Sequence, residues 1–178
     1  MPNFDTKTEE AFFSLMHNKK VNCAKVVGNK KSDSIPDFLC ELNNYKVIFE
    51  LKDLNESGTT KWLSHNFVSQ NITIAGAVSR FINQCSKKFL NIDFKNFDSA
   101  LIVTNLRPFI DFENTLMSQI KRAIEVSFVE HPEIGNLIVA GYNKPSNQII
   151  AFHIFENKNS KRIIKKDFFN NFNSKYYN

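Results

Sequence analysis

Asp37, Glu50 and Lys52 fall within one β-rich run, SIPDFLCELNNYKVIFELKDL. Near its middle, Asn43-Asn44 suits a two-residue turn, because Asn tolerates positive φ and apolar strand formers flank it on both sides. With that turn, residues whose numbers sum to 87 face each other: Leu42 opposes Tyr45, Cys40 opposes Val47 and Asp37 opposes Glu50. Directly opposed Cβ atoms lie about 4.5–5.5 Å apart, where like charges destabilise. Lys52 is two residues past Glu50 and projects from the same face. Two carboxylates held so closely repel, and one must protonate unless a cation lies between them. Hard oxygen ligands at this spacing suit Mg2+, with Mn2+ as a substitute, because magnesium is commonly held by one or two carboxylates and keeps waters or phosphate oxygens elsewhere. Pairing with Lys46 or Lys52 at a strand end would explain any one of these charges alone; the combination favours a metal site.

Several elements must position this cluster. The opposite face of the hairpin, Phe38, Cys40, Leu42, Tyr45, Val47, Phe49 and Leu51, is apolar and suited to a core. Residues 6–19 read as an amphipathic helix with Thr6 as N-cap. Glu9 lies on its inward stripe with Phe12, Phe13 and Met16, either as a cap or as a third acid of the site; Glu10 turns to solvent. A short strand is expected at 22–28. Residues 55–70, with the only Trp, Trp62, show no period and form either a loop over the site or a surface plug.

A second helix, 71–90, carries the apolar stripe Ile74, Val78, Phe81, Cys85 and Phe89. Arg80, Gln84 and Lys87 line up beside it, as a solvated face or as a phosphate-facing one. Further elements are a strand at 99–104, a helix at about 112–130 and strands at 136–141 and 148–155. The runs SALIVT and NLIVAG are apolar throughout, as in strands covered on both faces. The segment KRIIKKDFFNNF reads as a terminal amphipathic helix on Ile164, Phe168 and Phe172, docked on the same domain.

At 178 residues the chain forms one domain with a substantial core, residues 1–156 followed by a basic aromatic segment, 157–178. Of the 23 basic side chains six lie in that segment, against one of the 18 acidic ones, so the whole net charge of +5 arises there. Lys161, Arg162, Lys165 and Lys166 are therefore candidates for phosphate-backbone contacts. The polar start MPNFDTKTEE does not read as a signal peptide, and no apolar run reaches membrane-spanning length. Three cysteines, Cys23, Cys40 and Cys85, form no CxxC pair, and their odd number argues against a disulfide framework. A cytoplasmic protein without membrane contact is expected.

The order helix, strand, hairpin, helix, strand, with Pro36-Asp37 and then Glu50-Leu51-Lys52 on the hairpin, resembles the PD-(D/E)XK nuclease superfamily, over roughly residues 6–104. The resemblance implies a restriction-endonuclease-like α/β fold, a central mixed sheet flanked by helices with an αβββαβ core. It implies a metal-dependent nuclease, with Asp37, Glu50 and the Leu51 carbonyl as metal ligands and Lys52 beside the attacking water. Glu9 stands where many members carry an additional acid, and Arg80, Gln84 and Lys87 on the helix that in several families contributes a polar residue. Nucleic acid is the implied partner, DNA favoured over RNA. Cutting both strands of a duplex would most simply require a homodimer or a partner protein. A non-catalytic nucleic-acid-binding or regulatory protein that retains the fold is the alternative.

Overall fold

In a computed structural model the described residues are 3–28, 34–53, 67–105, 117–143 and 145–177. The apolar runs of the sequence become one mixed sheet. Helix α1 (Lys7–Asn18) leads into β1 (Asn22–Lys25), β2 (Phe38–Leu42) and β3 (Tyr45–Asp53). Helix α2 (Phe67–Phe89), β4 (Asp98–Asn105), α3 (Met117–Glu130), β5 (Asn136–Asn143), β6 (Gln148–Glu156), a 3-10 turn (Lys166–Phe169) and β7 (Ser174–Tyr177) follow. Seven strands lie side by side in their order along the chain. The ladders β1–β2, β2–β3 and β5–β6 are antiparallel, and β3–β4, β4–β5 and β6–β7 are parallel. The chain is thus α/β, and its sheet extends past the six elements of the expected core.

Turn chemistry sets the hairpin register. Asn43 and Asn44 adopt φ of 51° and 64°, the left-handed pair that a tight hairpin turn needs. Leu42 pairs with Tyr45, Cys40 with Val47 and Phe38 with Phe49, as the turn arithmetic requires. Alternation then sorts the side chains into two cores. Phe38, Cys40, Val47, Phe49 and Leu51 pack with Phe12 and Met16 of α1, while Ile48 packs with Val78, Phe81, Ile82, Cys85 and Phe89 of α2. Two of the three parallel crossovers, β3–β4 and β4–β5, run through helices, α2 and α3, whose apolar stripes share the second core.

Two expectations need correction. The C-terminal segment is not a helix. The N–H of Ile164 donates to Asn136 Oδ1 at 2.8 Å and that of Lys165 to the Tyr45 hydroxyl at 3.0 Å, so tertiary acceptors take donors that a helix would use. The segment instead crosses the α1 face, buries Ile164, Phe168, Phe169 and Phe172 in the first core and returns as β7. The docking of the aromatic residues is as expected; the helical spacing is not. Cys23 and Cys40 are joined in a disulfide, because the β1–β2 register sets them opposite one another. An odd number of cysteines leaves one over, the buried Cys85, and does not prevent a pair. Among the described residues no helix is long and apolar enough to cross a membrane.

Candidate active site

The hairpin ladder stops at Phe38, one residue short of Asp37, so Leu51 on β3 has no strand partner on that side. Asp37 supplies the acceptor itself: its Oδ2 receives the Leu51 N–H at 2.7 Å. Sequence arithmetic thus brings Asp37 to the right place, although it caps the strand rather than extending it. Within a strand residue N–H and C=O leave on the same side, so the Leu51 carbonyl lies along the Asp37 edge.

Glu50 is fully buried beneath α2. Its Oε1 accepts from Lys52 at 2.8 Å and from Lys88 at 2.6 Å, while Cys85 Sγ stands 3.9 Å away. Its Oε2 is buried without a hydrogen-bond partner among the described residues. Lys88 also lies 3.6 Å from Asp37 Oδ1, so one ammonium bridges both acids. Burial, reinforced by the Glu50 charge, pushes the Asp37 carboxyl up to about 6, despite the opposing influence of Lys88, the Leu51 N–H and Lys52. For Lys52, burial pulls downward, but the adjacent Glu50 carboxylate more than offsets it and holds the ammonium above its usual value.

A cleft of about 350 Å³ opens over this cluster, lined by Thr8, Glu9, Asp37, Lys52, Asp53 and Gln84 among others. Arg80 also lines it. Glu9 therefore reaches the site, but not as a bare acid: its Oε2 accepts from Lys25 at 2.8 Å and from the Asp5 N–H at 3.1 Å. Its own N–H donates to Thr6 Oγ1 at 3.1 Å, so the helix start is capped as expected. Arg80 and Gln84 line both the cleft and an adjoining groove along α2; Lys87 lies only in the groove, with Ser79 and Asn83. Residues 55–66, Trp62 among them, and the side chain of Ile74 lie outside the described part of the chain.

The basic C-terminal residues are elsewhere. Lys165 stacks over the Tyr45 ring, 4.9 Å from its centroid, at the start of β3. Lys52 is seven residues further along that strand, roughly 23 Å away at the usual rise. Lys166 sits 3.8 Å from Glu156 and over the Tyr176 ring, and Lys161 is exposed. Arg162 is removed from the candidate phosphate contacts. Its guanidinium donates to the carbonyls of Phe97, Phe89 and Phe94 at 2.6, 2.8 and 2.9 Å, closing the C-terminal end of α2. Burial lowers its pKa.

Lys88 is the residue that sequence reading missed. A signal was present: Lys88 is three residues past Cys85 and seven past Phe81, so it continues the inward stripe rather than the polar one. Asp53 was missed too; it is buried, accepts from Thr8 Oγ1 at 3.3 Å and lines the cleft.

Asp37, Glu50 and the Leu51 carbonyl are the oxygens here that could hold a hard divalent cation. The unpartnered Glu50 Oε2 and the raised Asp37 carboxyl both mark negative charge that the protein has not fully compensated. Among the described residues no three His, Cys, Asp or Glu side chains form a protein-only metal cage. Magnesium seldom uses such cages, preferring one or two carboxylates. No protein-family description matches the chain, nor does any curated protein or solved structure.

Proposed function

We propose that this protein is a metal-dependent nuclease of the PD-(D/E)XK kind, hydrolysing phosphodiester bonds in nucleic acid, DNA in preference to RNA. The observation that carries the reading is the convergence of Asp37, tied to the Leu51 N–H and lining the cleft, with Lys52 and the buried Glu50 beneath it, joined at 2.8 Å, one Glu50 oxygen having no hydrogen-bond partner among the described residues. Asp37, Glu50 and the Leu51 carbonyl would hold magnesium. When bound, such an ion supplies a water of lowered pKa and stabilises charge on the phosphate. The Glu50 carboxylate beside it favours the ammonium form of Lys52, a donor rather than a base. Its ammonium orients the attacking water and offsets charge that builds on the phosphate oxygens. Arg80 and Gln84 at the cleft wall, with Lys87 beyond them, offer donors to the strand on either side of the scissile bond. With one such cleft among the described residues, duplex cutting calls for a second copy or a partner protein.

The test is cleavage of single-stranded and duplex DNA and RNA with magnesium, manganese or chelator, run beside Asp37→Asn and Lys52→Ala. Metal-dependent cleavage that disappears in both variants supports the reading. Cleavage that persists in Asp37→Asn overturns it. Binding without cleavage under every condition points to a nucleic-acid-binding protein on the same scaffold. If duplexes are cut, a light-scattering mass of one chain during turnover argues against the second copy.

A further inference from the structure

Four charged side chains meet in one cluster, two of them, Asp37 and Lys52, lining the cleft, and they come in equal numbers of each sign. Asp37 and Glu50 stand against Lys52 and Lys88, with Lys88 at 2.6 Å from one acid and 3.6 Å from the other. In a partly buried cluster each added charge interacts far more strongly than in water, so the balance decides how much further cation the site accepts. One divalent ion with one phosphodiester leaves a small positive excess. A second divalent ion would add two further charges close to two ammoniums; Glu9 and Asp53 also line the cleft, but among the described residues no three acids stand close enough to hold an ion together.

We infer that Lys88 is a positioning residue whose ammonium, set between Asp37 and Glu50, limits the positive charge that the site accepts to a single divalent ion. The inference rests on the metal-site reading above and adds the stoichiometry and the residue that sets it. Lys88 is suited to this role by its bridging position: it reaches both carboxylates, whereas Lys52 is in contact with Glu50. It also arrives on α2, a different element from the motif, so the site is complete only when that helix is docked on β3. The remaining Glu50 oxygen, Oε2, is left for the ion.

The experiment counts Mn2+ bound to the full chain by calorimetry and by electron paramagnetic resonance, for the wild type, Lys88→Met, Lys88→Arg and Asp37→Asn. Thermal unfolding of each variant reports that it is folded. The wild type should bind one ion. Lys88→Met should bind Mn2+ on the order of tenfold more tightly or take up a second ion, since a like charge beside the ligands is gone. Lys88→Arg, which keeps the charge, should behave as the wild type; it remains informative if the Met variant fails to fold. Two ions on the wild type, or unchanged or weaker binding in Lys88→Met, would overturn the role of Lys88 while leaving the metal site standing. No Mn2+ binding by the wild type, or undiminished binding in Asp37→Asn, would overturn the metal-site reading, and this inference with it.

Discussion

The Leu51 main-chain N–H donates to Asp37 Oδ2 at 2.7 Å, and through this bond the two halves of the motif share a hydrogen bond as well as a cleft. The carboxylate does what the missing strand partner would have done, and the bond holds its oxygens beside β3, where the proposed metal would need them.

With the proposed function, the same position sets stability against activity. Asp37 has its folded-state pKa raised from 3.8 to about 6, so the folded protein binds this proton more tightly than the unfolded chain. The resulting stabilisation is fully present below the unfolded value and is lost as pH rises through about 6. At roughly 1.4 kcal/mol per unit, up to about 3 kcal/mol is at stake, discounted by solvent access to the cleft. Urea denaturation between pH 4 and 7 should show wild-type stability falling relative to Asp37→Asn. At pH 7 the variant should be the more stable by about 1–3 kcal/mol, yet inactive. An Asn that destabilises at neutral pH would contradict the assignment.

Glu50 should be the most costly of the three motif residues to remove. Its loss leaves Lys52 and Lys88 facing one another with the shared carboxylate gone. Glu50→Ala should destabilise by about 3–5 kcal/mol, the usual cost of stripping one partner from a buried ion pair. Glu50→Ala combined with Lys88→Met should recover part of that loss. Chemical denaturation of the single and double variants checks both statements, and simple additivity would count against direct coupling.

Arg162 and Arg80 should separate a structural arginine from a substrate-facing one. Arg162→Met removes donors from three backbone carbonyls and should cost about 2–4 kcal/mol of stability. The salt dependence of nucleic-acid binding should stay as it was. Arg80→Met should leave the melting temperature nearly unchanged and reduce the slope of log affinity against log salt by about one. Thermal melts and binding titrations at several salt concentrations give both readouts. A reversed pattern would return Arg162 to the interface.

Gly135 is confined by the backbone of the C-terminal crossing. A Cβ there would lie 1.8 Å from the Arg162 carbonyl oxygen, and that oxygen is itself the acceptor for the Ser99 N–H at 3.0 Å. Gly135→Ala must push the two chains apart and should cost about 2–4 kcal/mol, the range of strongly destabilising single changes. Differential unfolding against Gly76→Ala, where nothing stands within 4 Å, is the comparison: that variant should be neutral or slightly stabilising.

Local chemistry explains which features could be read in advance. The hairpin follows from Asn43-Asn44 and from strict alternation on either side, so its register and both its faces were legible. The inward stripe of α2 was legible for the same reason, through Val78, Phe81, Cys85 and Phe89. Lys88 escaped because a lysine beside another lysine suggests solvent, although its helical phase points inward. The C-terminal segment was misread because its period of four matched a helix, while the deciding partners, Asn136 Oδ1 and the Tyr45 hydroxyl, lie far away in sequence. The Cys23–Cys40 pair depends on the β1–β2 ladder, and no spacing within the chain announces which residues that ladder sets face to face.

Strand order equal to chain order has a consequence for how the molecule assembles. Every ladder joins consecutive strands, so loop-closure entropy is met in small instalments rather than by one distant pairing. The β2–β3 hairpin, closed by two residues, can form before the rest. At that stage it holds Asp37 and Glu50 together with Lys52 as the sole cation of the quartet. Lys88 joins only when α2 docks, and its ammonium, shared between the two acids, then offsets their repulsion. If the hairpin forms first, the charge conflict of the site is relieved by a later folding step, and the α2–β3 contact is a place where the requirements of folding and of the proposed chemistry coincide.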